Sequence, residues 1–188
     1  GQGLIQLYHY DSLFETVHTS HPVRCFCEDE DGNILIGTKG SGIKLLNPAT
    51  KELTDYLNES KGLISNSVYA LRRNKANDIF IGTEGTGINI LNAATGRLEK
   101  LEIPDKYPPF KAVYNIYFTN NDSLLWVGTS GYGLIKINIS REQGRYHVKG
   151  FRQYNSSDKN ISLNNDVVYA ITSDPEDNML WFGTRAEA

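Results

Sequence analysis

Leu125-Trp126-Val127-Gly128-Thr129-Ser130-Gly131-Tyr132-Gly133-Leu134 runs from apolar residues through a Gly-Thr pair into a glycine-rich turn. The first half of this stretch occurs three more times, as Ile34-Leu35-Ile36-Gly37-Thr38, Ile79-Phe80-Ile81-Gly82-Thr83 and Leu180-Trp181-Phe182-Gly183-Thr184. Gly37, Gly82, Gly128 and Gly183 are 45, 46 and 55 residues apart. Upstream of each lies a second apolar segment: Val23-Arg24-Cys25-Phe26, Val68-Tyr69-Ala70-Leu71, Val113-Tyr114-Asn115-Ile116 and Val168-Tyr169-Ala170-Ile171. Self-similarity at such a period marks a repeat architecture, in which one supersecondary unit buries its apolar surface only against its neighbours.

Each unit reads as four short strands. The first is rich in β-branched, aromatic and aliphatic residues. Turn-forming residues follow it: Asp31-Gly32-Asn33, Asn77-Asp78, Asn121-Asp122 and Asp177-Asn178. The second strand ends in Gly-Thr, and a glycine-rich turn leads to a third, such as Ile88 to Leu91. Pro48-Ala49-Thr50 or Ala94-Thr95-Gly96 then turns into a short fourth strand, Leu53 to Tyr56 or Leu98 to Leu101. No stretch sustains the apolar period of a helix. Four antiparallel strands per unit predict an all-β chain of β-propeller blades. The strands are apolar on both faces, so Phe26 and Cys27, or Trp126 and Val127, should all be covered by adjacent blades. The longest interval carries an insertion between Arg141 and Asn165.

Gly3-Leu4-Ile5-Gln6-Leu7 is similar to Gly42-Ile43-Lys44-Leu45-Leu46, a third strand. The expected organisation is the end of a blade in 1–14, full blades in 23–57, 68–103 and 113–155, and the first half of a blade in 168–188. That makes three full blades plus two half blades. The halves could pair into a closed four-bladed ring; the reading favours a fragment of a larger propeller.

Composition excludes several classes. The 188 residues carry a net charge of −3, with 39% apolar and 22% charged residues. No cluster of Lys and Arg suits a phosphate backbone, so no nucleic-acid partner is expected. No apolar run has the length of a membrane span, and Gly1 to Leu7 lacks the basic start and apolar core of a signal peptide, which predicts a soluble piece without membrane contact. Cys25 and Cys27 are two apart, too close on an extended strand for a disulfide, and are read as core residues.

The combination of a Leu-x-x-x-x-Val-Tyr-x-Ile start, an acidic turn, Trp-x-Gly-Thr and Gly-x-Gly-Leu/Ile resembles the two-component regulator propeller repeat. It is carried by Leu63 to Leu71, Leu163 to Ile171 and Leu125 to Leu134. Two departures stand out: His21-Pro22 replaces the Ser-Asn type of start, and Leu35 and Phe80 take the place of Trp126 and Trp181. The resemblance implies the extracytoplasmic, periplasmic sensor of a hybrid two-component histidine kinase of Bacteroides-like bacteria, many of which respond to oligosaccharides. It further implies seven-bladed propellers, a β-sandwich module, a membrane anchor in the parent, a kinase, a receiver, a DNA-binding output that controls transcription, and pairing of the parent sensor into a homodimer.

Other constellations read as scaffold. The turns Gly37 to Gly42, Gly82 to Gly87 and Gly128 to Gly133 run into strands rather than helices, so they are hairpins with glycine supplying positive φ, not phosphate cradles. Glu28-Asp29-Glu30-Asp31-Gly32 and Asp174-Pro175-Glu176-Asp177 lack the spacing of a calcium loop and read as solvated turns. His18 and His21 have no further ligands nearby, and His9 and His147 are isolated, so no metal and no cofactor is expected. Asn58, Asn121, Asn138, Asn155 and Asn160 begin Asn-x-Ser sequons, incidental in a bacterial protein. No catalytic set stands apart from the repeat, which predicts a non-enzymatic segment.

A ligand is expected where the fourth-to-first-strand connections and second-to-third-strand turns meet around the axis. The candidate ligand residues there are Asn66, Tyr69, Lys111, Tyr114, Tyr132, Asn165, Asp166, Tyr169 and Arg185, accompanied by Ser65, Asn164, Lys39 and Glu84. Aromatic rings with amides, carboxylates and cations suit a sugar. The competing reading has Tyr69, Tyr114 and Tyr169 packing between blades and Asn66 and Asn165 capping backbone. Alternative functions are a protein-interaction platform and a propeller lyase or glycosidase.

Overall fold

The computed structural model describes residues 3–9, 12–159, 163–174 and 179–186. β1 (Gly3–His9) and β2 (Ser12–Thr19) form an antiparallel hairpin. Three four-stranded meanders follow. The first comprises β3 (Val23–Glu28), β4 (Ile34–Thr38), β5 (Ile43–Leu46) and β6 (Leu53–Leu57). The second comprises β7 (Val68–Arg73), β8 (Ile79–Thr83), β9 (Ile88–Leu91) and β10 (Leu98–Lys100). The third comprises β11 (Val113–Thr119), β12 (Leu124–Thr129), β13 (Leu134–Glu142) and β14 (Arg145–Tyr154). A last hairpin pairs β15 (Val168–Asp174) with β16 (Met179–Thr184). A single 3₁₀ turn, Glu59–Lys61, interrupts the connection between the first two meanders. The expected turn at Asp177-Asn178 and the sequon at Asn160 lie outside the described residues.

The first strands β3, β7, β11 and β15 lie beside one another, so the sheets radiate from a common edge as propeller blades. The core is accordingly divided into slabs between blades. Alternation along β8 decides which slab each residue joins: Ile79 and Ile81 pack with Leu35 and Ile43 of the preceding blade, whereas Phe80 packs with Val113, Ile116 and Val127 of the next. Phe80 is wholly buried, with Phe118 and Tyr146 edge-on at centroid distances of 4.9 and 5.0 Å. Burying such a ring contributes about 1.5–3 kcal/mol. Cys25 and Cys27 are free thiols packed against the slab of blades one and two, and burial pushes the Cys25 thiol up to about 12.

One expectation of coverage fails: Phe26 is 53% exposed, because no further sheet lies over its outer face among the described residues. Trp181 on the last hairpin is 58% exposed for the same reason. β1–β2 and β15–β16 also remain separate two-stranded sheets, so they do not complete one shared blade.

The Gly of Gly-Thr serves a different purpose from the one expected of the turn. A Cβ on Gly37 would stand 2.9 Å from Val68 Cγ1, one on Gly82 2.5 Å from Val113 Cγ1, and one on Gly128 2.7 Å from the Val168 carbonyl oxygen. In each case the opening valine of the next blade rests on the glycine. Within the glycine-rich turns positive φ falls on the later glycines, Gly40, Gly42, Gly87, Gly131 and Gly133. The threonine then clasps the turn: Thr38 Oγ1 donates to the Gly42 carbonyl at 2.9 Å and Thr129 Oγ1 to that of Gly133 at 2.8 Å.

The insertion is a lengthening of the β13–β14 hairpin, whose register runs on to Glu142 opposite Arg145. Its tip reaches back to the second blade. There Asp78, read from sequence as a turn residue, is completely buried. Its carboxylate accepts from Tyr146 Oη at 2.7 Å and from the Ala93 amide at 2.8 Å, and pairs with Arg141 at 3.1 Å. Asn74 Nδ2 donates to Tyr146 Oη at 2.6 Å, and Asn92 Nδ2 to the Gly144 carbonyl at 3.1 Å.

Two stability outcomes are expected. Gly82→Ala should lower stability by about 1–3 kcal/mol, the range for overpacking, while Gly183→Ala, whose Cβ meets nothing closer than 3.8 Å, stays within about 0.5 kcal/mol, both read from urea midpoints. Asp78→Ala should cost about 3 kcal/mol in the same measurement, because it strips the partners from a buried charged network.

Candidate functional site

Each first strand carries a β-bulge at the same place. Register slips between Val23 and Cys25, Val68 and Ala70, Val113 and Asn115, and Val168 and Ala170. The extra residue is Arg24, Tyr69, Tyr114 or Tyr169. A bulge re-aims the side chain it carries. Here the valine is held down on the preceding blade's glycine, and the next residue is turned out toward the axis.

The four side chains line one open cleft of about 430 Å³ together with Lys39. Tyr69 and Tyr114 meet edge to face at 5.0 Å between centroids, and Tyr114 and Tyr169 lie nearly parallel at 5.5 Å. The Arg24 guanidinium sits 5.9 Å from the centre of the Tyr69 ring. Tyr169 remains 51% exposed. Partial burial raises the Tyr69 phenol above its ordinary range, and nearby Glu84 adds to the shift. Rings from three blades, with the Arg24 guanidinium of a fourth, thus line one open cleft in a row.

The remaining candidates are placed as follows. Asn66 is a latch: its side chain accepts the Glu59 amide at 2.8 Å, and its carbonyl accepts from Gly40 at 3.0 Å and Gly42 at 2.8 Å on the preceding blade's turn. Asp166 repeats this, holding the Ser156 amide at 2.6 Å and, through its carbonyl, the amides of Gly131 and Gly133 at 2.9 and 2.8 Å. Asn66 therefore corresponds to Asp166, while Asn165 corresponds to Ser65; each of the latter accepts an amide two residues on. Tyr132 packs against the slab between blades two and three. Lys111 bridges Thr86 through its backbone, and Arg185 donates its amide to Val167. Glu84 and Lys39 occupy the equivalent turn position in their blades, and their amides donate to Ser67 and Pro22. Asn164 is exposed in the same connection as Asn165.

Arg24 was absent from the candidates because its unit opens with His21-Pro22. Its place in the row was available from the alignment of Val23-Arg24 with the three Val-Tyr pairs. A larger cleft of about 680 Å³ opens at the opposite ends of the strands, but its polar groups are engaged: Trp126 Nε1 donates to Thr119 Oγ1 at 3.0 Å and Lys75 Nζ to Asn121 Oδ1 at 2.6 Å. Among the described residues no three His, Cys, Asp or Glu side chains gather as a metal site.

The sequence profile of the two component regulator propeller matches residues 19–40, which span Val23-Arg24 and the first Gly-Thr. Over those residues the chain is similar to a two-component regulator propeller repeat. The extracellular domain named for a hybrid two component system of B. thetaiotaomicron is similar over 94% of this chain and 23% of its own, with 23% identity and a TM-score of 0.69. A second such domain from B. thetaiotaomicron is similar over 95% of this chain and 28% of its own, at 19% identity and a TM-score of 0.60. The chain thus spans about a quarter of these two domains. Virginiamycin B lyase of Staphylococcus aureus shares the fold over 95% of this chain and 55% of its own, at 16% identity and a TM-score of 0.64. No curated protein matches the chain in sequence. These likenesses establish β-propeller architecture; that of the lyase shows that the architecture alone does not decide catalysis.

The latch and the tyrosine row should separate in a melting experiment. Asn66→Ala removes a structural acceptor and should cost about 1 kcal/mol, whereas Tyr114→Phe, whose hydroxyl has no protein partner among the described residues, should leave stability within about 0.5 kcal/mol.

Proposed function

We propose that this run of blades is the non-catalytic, ligand-sensing part of a periplasmic sensor belonging to a hybrid two-component system. An oligosaccharide bound on the axial cleft biases an attached histidine kinase and, through it, transcription. The observation that carries the reading is the delivery of Arg24, Tyr69, Tyr114 and Tyr169 into one cleft by the same bulge in four blades. Aromatic faces cover the apolar side of a sugar ring, and phenols and cations bind its oxygens. The regulator-propeller repeat at residues 19–40 and the shared fold of extracellular two-component domains support the sensor context. The lining of the cleft holds no carboxylate, so the carboxylate pair that hydrolyses most glycosidic bonds is missing from it. A sensor of this kind works by holding one arrangement of paired parents better than another, so the ligand must contact parts that differ between them.

Titration calorimetry of the intact protein with a panel of neutral and acidic oligosaccharides tests the reading. Binding should weaken about tenfold or more in Tyr114→Ala, the loss of one well-placed aromatic contact. Unchanged affinity in a variant with Tyr69, Tyr114 and Tyr169 all replaced by alanine would sink the axial site, and turnover of a glycan would sink the non-catalytic role.

A further inference from the structure

The row in the axial cleft is not symmetric. Arg24 holds in the first blade the bulged position that tyrosine holds in the next three, and Lys39, from the turn of the same blade, lines the cleft beside it. Both cations therefore stand at one end, with aromatic rings leading away toward Tyr169. Among the described residues neither cation has a carboxylate partner; the contact Arg24 makes is with the face of Tyr69. The three phenol oxygens likewise accept and donate no hydrogen bond to protein among the described residues. Carboxylates close by are spoken for: Asp166 holds the amide and hydroxyl of Ser156, and Glu59 accepts the Asn66 amide. The exception is Glu84, on the second blade's turn, near Tyr69.

The hydrogen-bond inventory is thus weighted toward donors. A guanidinium offers five, an ammonium three and each phenol one, against acceptor capacity from the phenols and Glu84 alone. A neutral sugar laid over this end would strip water from two cations and return only hydroxyl oxygens. Desolvated charge of that kind is costly unless it meets an opposite charge, and a carboxylate or sulfate takes charge-assisted, often bidentate, bonds from arginine.

We infer that the cleft takes an acidic saccharide, with its carboxylate or sulfate between Arg24 and Lys39 and its sugar rings against Tyr69 and Tyr114. This deepens the oligosaccharide-sensing reading and rests on it. Both cations of the cleft lining come from the first blade, so the charged unit of the ligand lies there and its neutral units lie over the tyrosines of the following blades.

The test is calorimetry of the intact protein with trigalacturonate and a sulfated chondroitin disaccharide, each beside an uncharged counterpart, and with inorganic sulfate alone. At least one acidic saccharide should bind about tenfold or more tightly than its uncharged counterpart, the size of one hydrogen-bonded charge contact. Arg24→Gln and Lys39→Gln should each remove about that factor from the acidic saccharide and weaken any neutral-sugar binding less. Raising the salt concentration should weaken wild type more than either variant. Both positions are exposed, so unaltered melting of the variants is expected and confirms that affinity is being read. Equal affinity for acidic and uncharged saccharides, or no effect of either variant, overturns the inference. Inorganic sulfate binding as tightly as the acidic saccharide also overturns it, since the site is then one for a free anion. If Tyr114→Ala weakens neutral binding while Arg24→Gln changes nothing, the oligosaccharide reading survives and the acidic one does not. Failure of every saccharide to bind overturns both.

Discussion

The valine that opens each blade rests on the glycine that precedes threonine in the blade before it, and the rest of the arrangement depends on that contact. At Gly82 the Val113 side chain and carbonyl occupy the space a Cβ would need. With the glycine in place, the first strand of one blade lies close along the second strand of its predecessor, and the slabs of apolar side chains close between them. The contact also sets the direction of the next residue. Held by its valine, the strand bulges, and Arg24, Tyr69, Tyr114 and Tyr169 leave the sheet toward the axis. A packing constraint between blades thus becomes a row of side chains that share one cleft.

The two ends of the strands are secured by different means. On the axial side, turns and connections are joined by backbone. The carbonyls of Asn66 and Asp166 each take two glycine amides from the preceding blade, and the side chains of the same residues hold the connection from which they came. On the other side the bond is between side chains, with Asp78, Arg141, Tyr146 and Asn74 locking the third blade's long hairpin to the second blade. A buried carboxylate tolerates little displacement of its partners, so that side is the stiff one. The axial side presents rings and cations whose polar atoms are still free to meet a ligand.

The fold was legible in the sequence because its cause is periodic. Gly-Thr recurs where the next valine must fit, and strand lengths between the recurrences are too short for helices. The tyrosines were legible for the same reason, standing beside that valine in three units. What escaped was whatever depends on tertiary partners. A bulge leaves no mark in Val-Tyr-Ala, so the reason those side chains point to the axis was hidden. Asn66 and Asp166 look like ligand-binding residues by type, and only the amides they hold show that their oxygens are committed. Asp78 looks like any turn acid until the inserted hairpin covers it. The alternation Tyr146, Val148 and then Phe151 marks that hairpin as strand, but its destination on the second blade is a matter of three-dimensional reach. Phe26 shows the reverse error: a face that is apolar by pattern is covered only where a neighbour lies over it.

A ligand lying along the row would touch side chains from as many as four blades, whose spacing the glycine–valine contacts help to set. Its affinity therefore depends on the spacing between blades, and by linkage its binding resists any change in that spacing. Tyr69 and Tyr114 meet edge-on while Tyr114 and Tyr169 lie parallel, so the two gaps differ in the ring surface they offer. Among the side chains that line the cleft both cations come from the first blade, so the row has a head and a tail. A ligand of matching polarity engages the first three blades through charge and ring contacts together, and one without charge engages only the rings. The difference between those two modes is the selectivity that this geometry can provide, and it arises from arginine where the other blades carry tyrosine, together with Lys39 on the same blade's turn.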